Sequence, residues 1–327
     1  MQTFPSKCCL PNQTKLASEQ ARSDNPQVRN VSLNMPADKL RTLQTIVEAL
    51  ENVSNLRAVV LGGSYARGFA RAHSDIDIGI YYRQASPCSV EQVRSIAEKI
   101  SAVGSVPIVT EMYDWGPWVN GGAWIETSAG KVDLLYRNLD QVEAVIAEGR
   151  KGVWRHDYDQ QPPYGFRSVV YFGETAFCVP LHDPEGEIAH LKRSVAEYPE
   201  LLRDRIVQES LWGAEFSLRF CRTVANSADV YNTVGCMTRI AQFLVQALFA
   251  MNREYFVSDK YAPRLLEQFR LRPHDFTARL ERVLSSPGND ASELRRSSEL
   301  LSALWLETAE LTEGKYKPRF DLTLGLP

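Results

Sequence analysis

Cysteine and histidine are few and scattered in this chain of 327 residues. The six cysteines, at 8, 9, 88, 178, 221 and 236, form no CxxC and no Cys/His ligand spacing, which argues against a zinc module or a redox pair. His156, His182, His190 and His274 are likewise isolated. Reduced thiols in a cytoplasmic protein are the simpler reading. No apolar run approaches the roughly 20 residues of a membrane span, so no membrane partner is expected. The N-terminus lacks a basic segment followed by an apolar core, so no secretory signal is expected. Nor is there an excess of basic residues. With 37 Lys and Arg against 40 Asp and Glu, the net charge of −3 disfavours a dedicated nucleic-acid binder and is easier to reconcile with a small-molecule or protein acceptor. A nucleophile elbow, a Walker loop, a dinucleotide fingerprint and internal repeats are all missing.

What remains is the composition of a globular protein, 44% hydrophobic and 24% charged, long enough for two domains. Residues 1–34, rich in Ser, Gln, Asn and Lys, read as a flexible leader, and Met35 is an alternative start. Leu40, Leu43, Ile46, Val47 and Leu50 recur at helical spacing and predict a helix over 37–53. Strands follow at 55–61 and 76–82 with a short helix over 64–71 between them, then a helix over 90–103. Sheet character continues through 106–112, 123–127 and 131–136, and a helix over 139–149 closes this half. That order predicts a small mixed sheet with helices on one face. Residues 151–186, with four prolines, read as a connector holding one short strand near 168–171. Residues 187–327 read as a helical bundle, with the stripe Met237, Ile240, Ala241, Leu244, Ala247, Leu248 and Met251 as its clearest helix. The domains expected are therefore 35–150 and 187–327, an α+β architecture.

The most informative stretch is 59–82. An apolar strand ends in Gly62-Gly63-Ser64, and after an Arg-containing segment Asp75 and Asp77 open a second apolar strand. Glycine lets backbone approach a phosphate closely, and free N–H groups at the next helix start would face the anion. Ser64 could donate a further hydrogen bond, and Arg67 and Arg71 could neutralise phosphate charge. An ordinary turn with solvated arginines explains the same residues. Asp75 and Asp77 are harder to dismiss. Strands disfavour aspartate, and with Ile76, Ile78 and Ile80 facing a core, the two carboxylates share the opposite face about 6.5–7 Å apart. Side by side they need a proton or a cation. A polar strand end in water is the competing explanation. Asp133, which interrupts the apolar strand Val132 to Tyr136, adds a third acid if its strand lies beside 76–82. Three carboxylates with phosphate oxygens suit one or two octahedral Mg²⁺ ions. His73 reads as a loop residue, and Trp115, Trp118 and Trp124 as packing or as a stacking platform for a ring. Glu209 and Glu215, on a helix of the second half, are candidate general bases.

The assembled pattern resembles the polymerase-beta-type nucleotidyltransferase superfamily: Gly63-Ser64, the ten residues Tyr65 to Ser74, Asp75-Ile76-Asp77, and Asp133 on a neighbouring strand. The resemblance covers roughly residues 38–150. It implies that Asp75, Asp77 and Asp133 bind metal and that Gly63 and Ser64 hold the triphosphate. Spacer length and the helical second half are most similar to the small bacterial branch, with its aminoglycoside and lincosamide nucleotidyltransferases and its shorter, single-domain antitoxins. The segment Tyr255 to Lys260 looks similar to one that carries a phosphate-binding lysine, which implies that role for Lys260. The activity so implied is Mg²⁺-dependent transfer of a nucleoside monophosphate from an NTP, ATP by default, to a hydroxyl of a small molecule. Nucleotidylation (AMPylation) of a protein partner, as in a toxin–antitoxin pair, and non-catalytic nucleotide binding are the alternatives.

Overall fold

The computed structural model describes residues 35–321, so the leader expected at 1–34 lies outside the described residues. Among the described residues two compact units emerge: 35–114 with 121–137 and 177–187, and 115–120 with 138–176 and 188–321. This division differs from the predicted boundary at 150, because the chain leaves the first unit and returns to it.

The first unit is built on a six-stranded sheet in the order β3-β4-β5-β2-β1-β8. Its strands are β1 (Leu56–Leu61), β2 (Ile76–Tyr82), β3 (Ile108–Val109), β4 (Gly122–Thr127), β5 (Gly130–Asn138) and β8 (Val179–His182). Helices α1 (Ala37–Leu50) and α3 (Val90–Ile100) lie on one face. Their stripes Leu43, Ile46, Leu50 and Val93, Ile96, Ala97 share one core with Ile76, Ile78, Ile80 and Tyr82 of β2 and Val132, Leu134 and Tyr136 of β5. Alternation along a strand then puts Asp77 and Asp133 on the face away from that core. Ser89 caps α3 by accepting from the Gln92 N–H at 3.3 Å.

Two expectations fail between residues 151 and 186. The predicted strand near 168–171 is helix α5 (Val169–Phe177), preceded by the two-stranded ribbon β6 (His156–Asp157) and β7 (Phe166–Arg167). Val169, Val170, Tyr171 and Phe172 are all buried, so this helix has no polar stripe to betray its period. Strand β8 then pairs antiparallel with β1. Glu187 follows it: its carboxylate accepts from Arg57 Nε at 3.0 Å and Arg83 Nη2 at 2.6 Å. Burial pushes this carboxyl up, but the two arginines outweigh it and hold it below its usual value.

The second unit is mainly helical, with α4 (Leu139–Gly149), α5, α6 (Glu187–Ser194), α7 (Glu200–Asn226), α8 (Val230–Met251), α9 (Ala262–Leu266), α10 (Phe276–Ser285) and α11 (Ala291–Glu310). The four-residue α2 (Gly63–Ala66) belongs to the first unit. By length and composition α8 could cross a membrane, which corrects the expectation that no stretch comes near that size. Arg239, Gln242 and Gln246 break any unbroken apolar run, so the sequence hides it. Most of α8 is buried against neighbouring helices, as a core helix is.

Cys88, Cys178 and Cys221 are buried. Burial pushes the Cys88 thiol up to about 11 and the Cys221 thiol up to about 12. Since the thiolate is the reactive form, both should resist alkylation in the native protein, whereas half-buried Cys236 should react. Peptide mapping after iodoacetamide treatment checks this. Native labelling of Cys88 as fast as in denaturant would contradict it.

Candidate active site

The Gly-Gly-Ser turn leaves β1 beside the start of β2. Leu61 pairs with Ile78, and one step on the Gly62 N–H donates to the Asp77 carbonyl at 2.8 Å. Gly63 follows with φ +57°, in the left-handed region that favours glycine. A Cβ there would fall 1.7 Å from Asp77 Oδ2, so the missing side chain is what lets the Asp77 carboxylate lie against the turn. Gly63 is exposed and Ser64 is buried at the first turn of α2.

Asp133 stands on β5, the neighbour of β2. On its other side it is in register with Trp124 of β4, so Trp124 shares its face. The adjacency of the two acidic strands is thus as expected. Among the described residues, however, no group of three His, Cys, Asp or Glu side chains is gathered closely enough to hold a metal ion. The structure relates the candidate residues pairwise. What it brings together is Asp77 with the Gly63 turn, and Asp77 and Asp133 on one face of adjoining strands. The donors are all carboxylates, a set that fits a hard, oxygen-preferring cation such as Mg²⁺ and not zinc or copper.

Two residues missed in the sequence support the bend before Asp75. Lys39 of α1 is 6% exposed, and its amine donates to the Ser74 carbonyl. The same amine lies 5.7 Å from the centre of the Tyr65 ring. Ser74 closes the bend by accepting from the Arg71 N–H at 2.8 Å. The Tyr65 phenol is pushed up by burial first and then by Asp38 and Asp75, so it stays protonated. Lys39 did leave a signal. With Leu43, Ile46 and Leu50 it falls on the buried stripe of α1, an unusual place for a lysine.

The remaining candidates have other surroundings. Arg67 places its guanidinium 5.2 Å from the Phe69 ring centre and 4.9 Å from that of Phe177. Arg71 and His73 are exposed. Lys260 belongs to the second unit, in a 3-10 turn (Asp259–Tyr261), with its amine 5.6 Å from the Tyr261 ring centre. Trp118 stacks on Phe166 at 5.2 Å, so packing explains it. Both glutamates offered as general bases have partners. Glu209 accepts from Trp154 Nε1 and pairs with Arg205, and Glu215 is fully buried among donors from the C-terminal segment.

Residues 44–111 match the family described as Polymerase beta, Nucleotidyltransferase, a stretch that includes Gly63, Ser64, Asp75 and Asp77. This part of the chain is a polymerase-beta-type nucleotidyltransferase domain, and nucleotidyl transfer is the chemistry of its family. Residues 177–262 match a domain of unknown function (DUF4037). No curated protein sequence matches the chain. Among solved structures, it is similar to a nucleotidyltransferase-like protein from Exiguobacterium sibiricum 255-15, with 9% identity over 83% of this chain and 77% of that one, at a TM-score of 0.41. It is also similar to an aminoglycoside 6-adenyltransferase from Bacillus subtilis, with 14% identity over 84% and 90% of the two chains, at a TM-score of 0.32.

Proposed function

We propose that this protein moves a nucleoside monophosphate from an NTP, ATP by default, to a hydroxyl of a small-molecule acceptor and releases pyrophosphate. The observation that carries the reading is the Asp77 carboxylate lying against the exposed Gly63 turn, with Asp133 on the same face of the adjoining strand. Asp75, Asp77 and Asp133 would hold one or two Mg²⁺ ions, which when bound neutralise charge on the triphosphate and on the transferring group. Gly63 keeps backbone open to phosphate oxygens, and Ser64 lines the same turn. Lys39 and Ser74 fix the bend that delivers Asp75. In the transfer, the acceptor oxygen bonds to the α-phosphorus as the bond to the bridging α–β oxygen breaks, and the hydroxyl proton leaves to water. The assignment of Lys260 to the nucleotide phosphates rests on the resemblance of Tyr255–Lys260 alone. The net charge of −3 supports a small-molecule acceptor over nucleic acid.

The test is incubation with α-labelled NTPs, Mg²⁺ and a panel of aminoglycosides, lincosamides and cell lysate. Label on a small molecule, with matching pyrophosphate and none from Asp77→Asn, is the expected result. Label on a polypeptide would move the acceptor to the protein class. Equal transfer by Asp77→Asn would remove the carboxylate assignment.

A further inference from the structure

The second unit contains a cavity of about 240 Å³ whose chemistry no part of the nucleotidyl-transfer reading uses. Its walls include Tyr158, Tyr164 and Phe243, with Arg239, His156 and Gln242 as polar members. Behind the wall lies Arg167, 1% exposed and therefore one of the most deeply buried cations in the protein. Its place there follows from β6 and β7. His156 and Arg167 are directly opposed across that antiparallel ribbon, so their side chains share a face, and His156 is a wall residue. Arg167 Nη2 also donates to Oε1 of Gln242, a second wall residue.

The Arg167 guanidinium is under-compensated. Its Nη1 is buried and has no hydrogen-bond partner among the described residues. Asp259 acts on it electrostatically, but no carboxylate forms an ion pair with it among the described residues. Its other neighbour is the Phe256 ring, 5.6 Å from ring centre to guanidinium carbon. A buried charge without a paired counter-ion is costly, and an anion held in the neighbouring cavity would offset part of that cost. Arg239 adds a second, exposed guanidinium at the wall, 5.5 Å from the Phe243 ring centre.

We infer that this cavity binds a single-ring aromatic compound bearing an oxyanion, a carboxylate or phosphate, with the ring between Tyr158, Tyr164 and Phe243 and the anion toward Arg239 and Gln242. Size agrees, since a cavity of about 150 Å³ holds benzene, and the extra volume here accommodates one acidic substituent. His156 supplies the readout. Its Nε2 donates to the Tyr164 carbonyl at 2.6 Å, which leaves Nδ1 to take up a proton. Partial burial, and then Arg167 and Arg239, hold its pKa below the usual histidine value against the opposing pull of the Tyr164 carbonyl and Asp157. A bound anion would reverse the electrostatic part and raise it. The inference concerns the second unit alone, so its failure would leave the transferase reading untouched.

The full-length protein should be titrated with benzoate and with phenyl phosphate at constant ionic strength, following the His156 imidazole by NMR. Its resonance is assigned with His156→Gln. Saturable shifts with a raised His156 pKa are expected from at least one anion, with no saturation by benzamide or benzylamine. Arg239→Gln, a change at an exposed position that the fold tolerates, should weaken that binding about tenfold or more. No saturable shift from either anion, equal binding of benzamide, or unchanged affinity in Arg239→Gln would each overturn the site.

Discussion

Gly63→Ala is expected to remove nucleotidyl transfer while leaving the protein folded. The added Cβ would fall 1.7 Å from Asp77 Oδ2, 2.4 Å from its Cγ and 2.9 Å from its Cβ. Rotating the Asp77 carboxylate away relieves the first two contacts. The third involves an atom fixed by β2, so the turn itself must shift. Alanine also meets φ +57°, which costs about 1–2 kcal/mol. With the displaced side chain the loss of stability should total about 2–3 kcal/mol. Misplacing a reacting group by about 1 Å costs on the order of 100-fold in rate, so transfer should fall at least that far.

Gly62→Ala is the matched control. At Gly62 φ is −116°, and the nearest atoms to a new Cβ are Asp77 O at 3.8 Å and Asp77 Cβ at 3.9 Å, ordinary contact. It should change stability little. A double-mutant cycle separates the local clash from general damage to the turn. In an Asp77→Ala background two of the three clashing atoms are gone, so Gly63→Ala should cost about 1 kcal/mol less than in the wild type. Equal costs in both backgrounds, by chemical denaturation, would show that Asp77 does not lie against Gly63. That outcome can be read even if no acceptor is known.

How far the sequence revealed this arrangement depends on how local each signal was. Ile76, Ile78 and Ile80 alternate with Asp77 and Gly79, so the strand, its buried face and the carboxylate on the opposite face could all be read from period alone. The helix over Leu139–Gly149 also formed where expected, and the structure adds its N-cap: the Asn138 side chain accepts from the Asp140 N–H at 3.0 Å. Signals that needed distant partners were lost. Val179–His182 is a strand only because β1 offers it an edge more than a hundred residues earlier. The position of Arg167 was equally opaque, since an arginine in a sequence looks solvated until the fold buries it. The three-aspartate set lies between these cases. The motif gave the residues and the neighbouring strands, but side-chain convergence is set by rotamers that spacing does not encode.

Glu215→Ala should be the most destabilising of the surface-remote substitutions, because one carboxylate holds the C-terminal segment to α7. Glu215 is 0% exposed, and its Oε1 accepts from the Arg319 and Phe320 N–H groups at 2.6 and 2.5 Å. Its Oε2 accepts from the Tyr316 hydroxyl, whose pKa burial and Glu215 both raise, so the phenol keeps the proton it donates. Trp212, Glu215 and Arg219 fall at helical spacing on one face of α7. Phe320 stacks on Trp212 at 5.7 Å and carries the Arg219 guanidinium at 4.5 Å, while Arg319 lies 4.2 Å over Trp212. Alanine would strand three donors at once, a loss of about 2–5 kcal/mol. Glutamine keeps an acceptor for both N–H groups and needs only the Tyr316 hydroxyl to turn and accept from the new amide, so about 1 kcal/mol should suffice. Denaturation midpoints measure the difference, and faster trypsin cleavage after Lys315 and Arg319 should report release of the segment in the alanine variant. The glutamine variant separates a clasp from a catalytic base: a clasp keeps transfer at near wild-type rate with slightly lower stability. Lost transfer at unchanged stability would return Glu215 to the reaction.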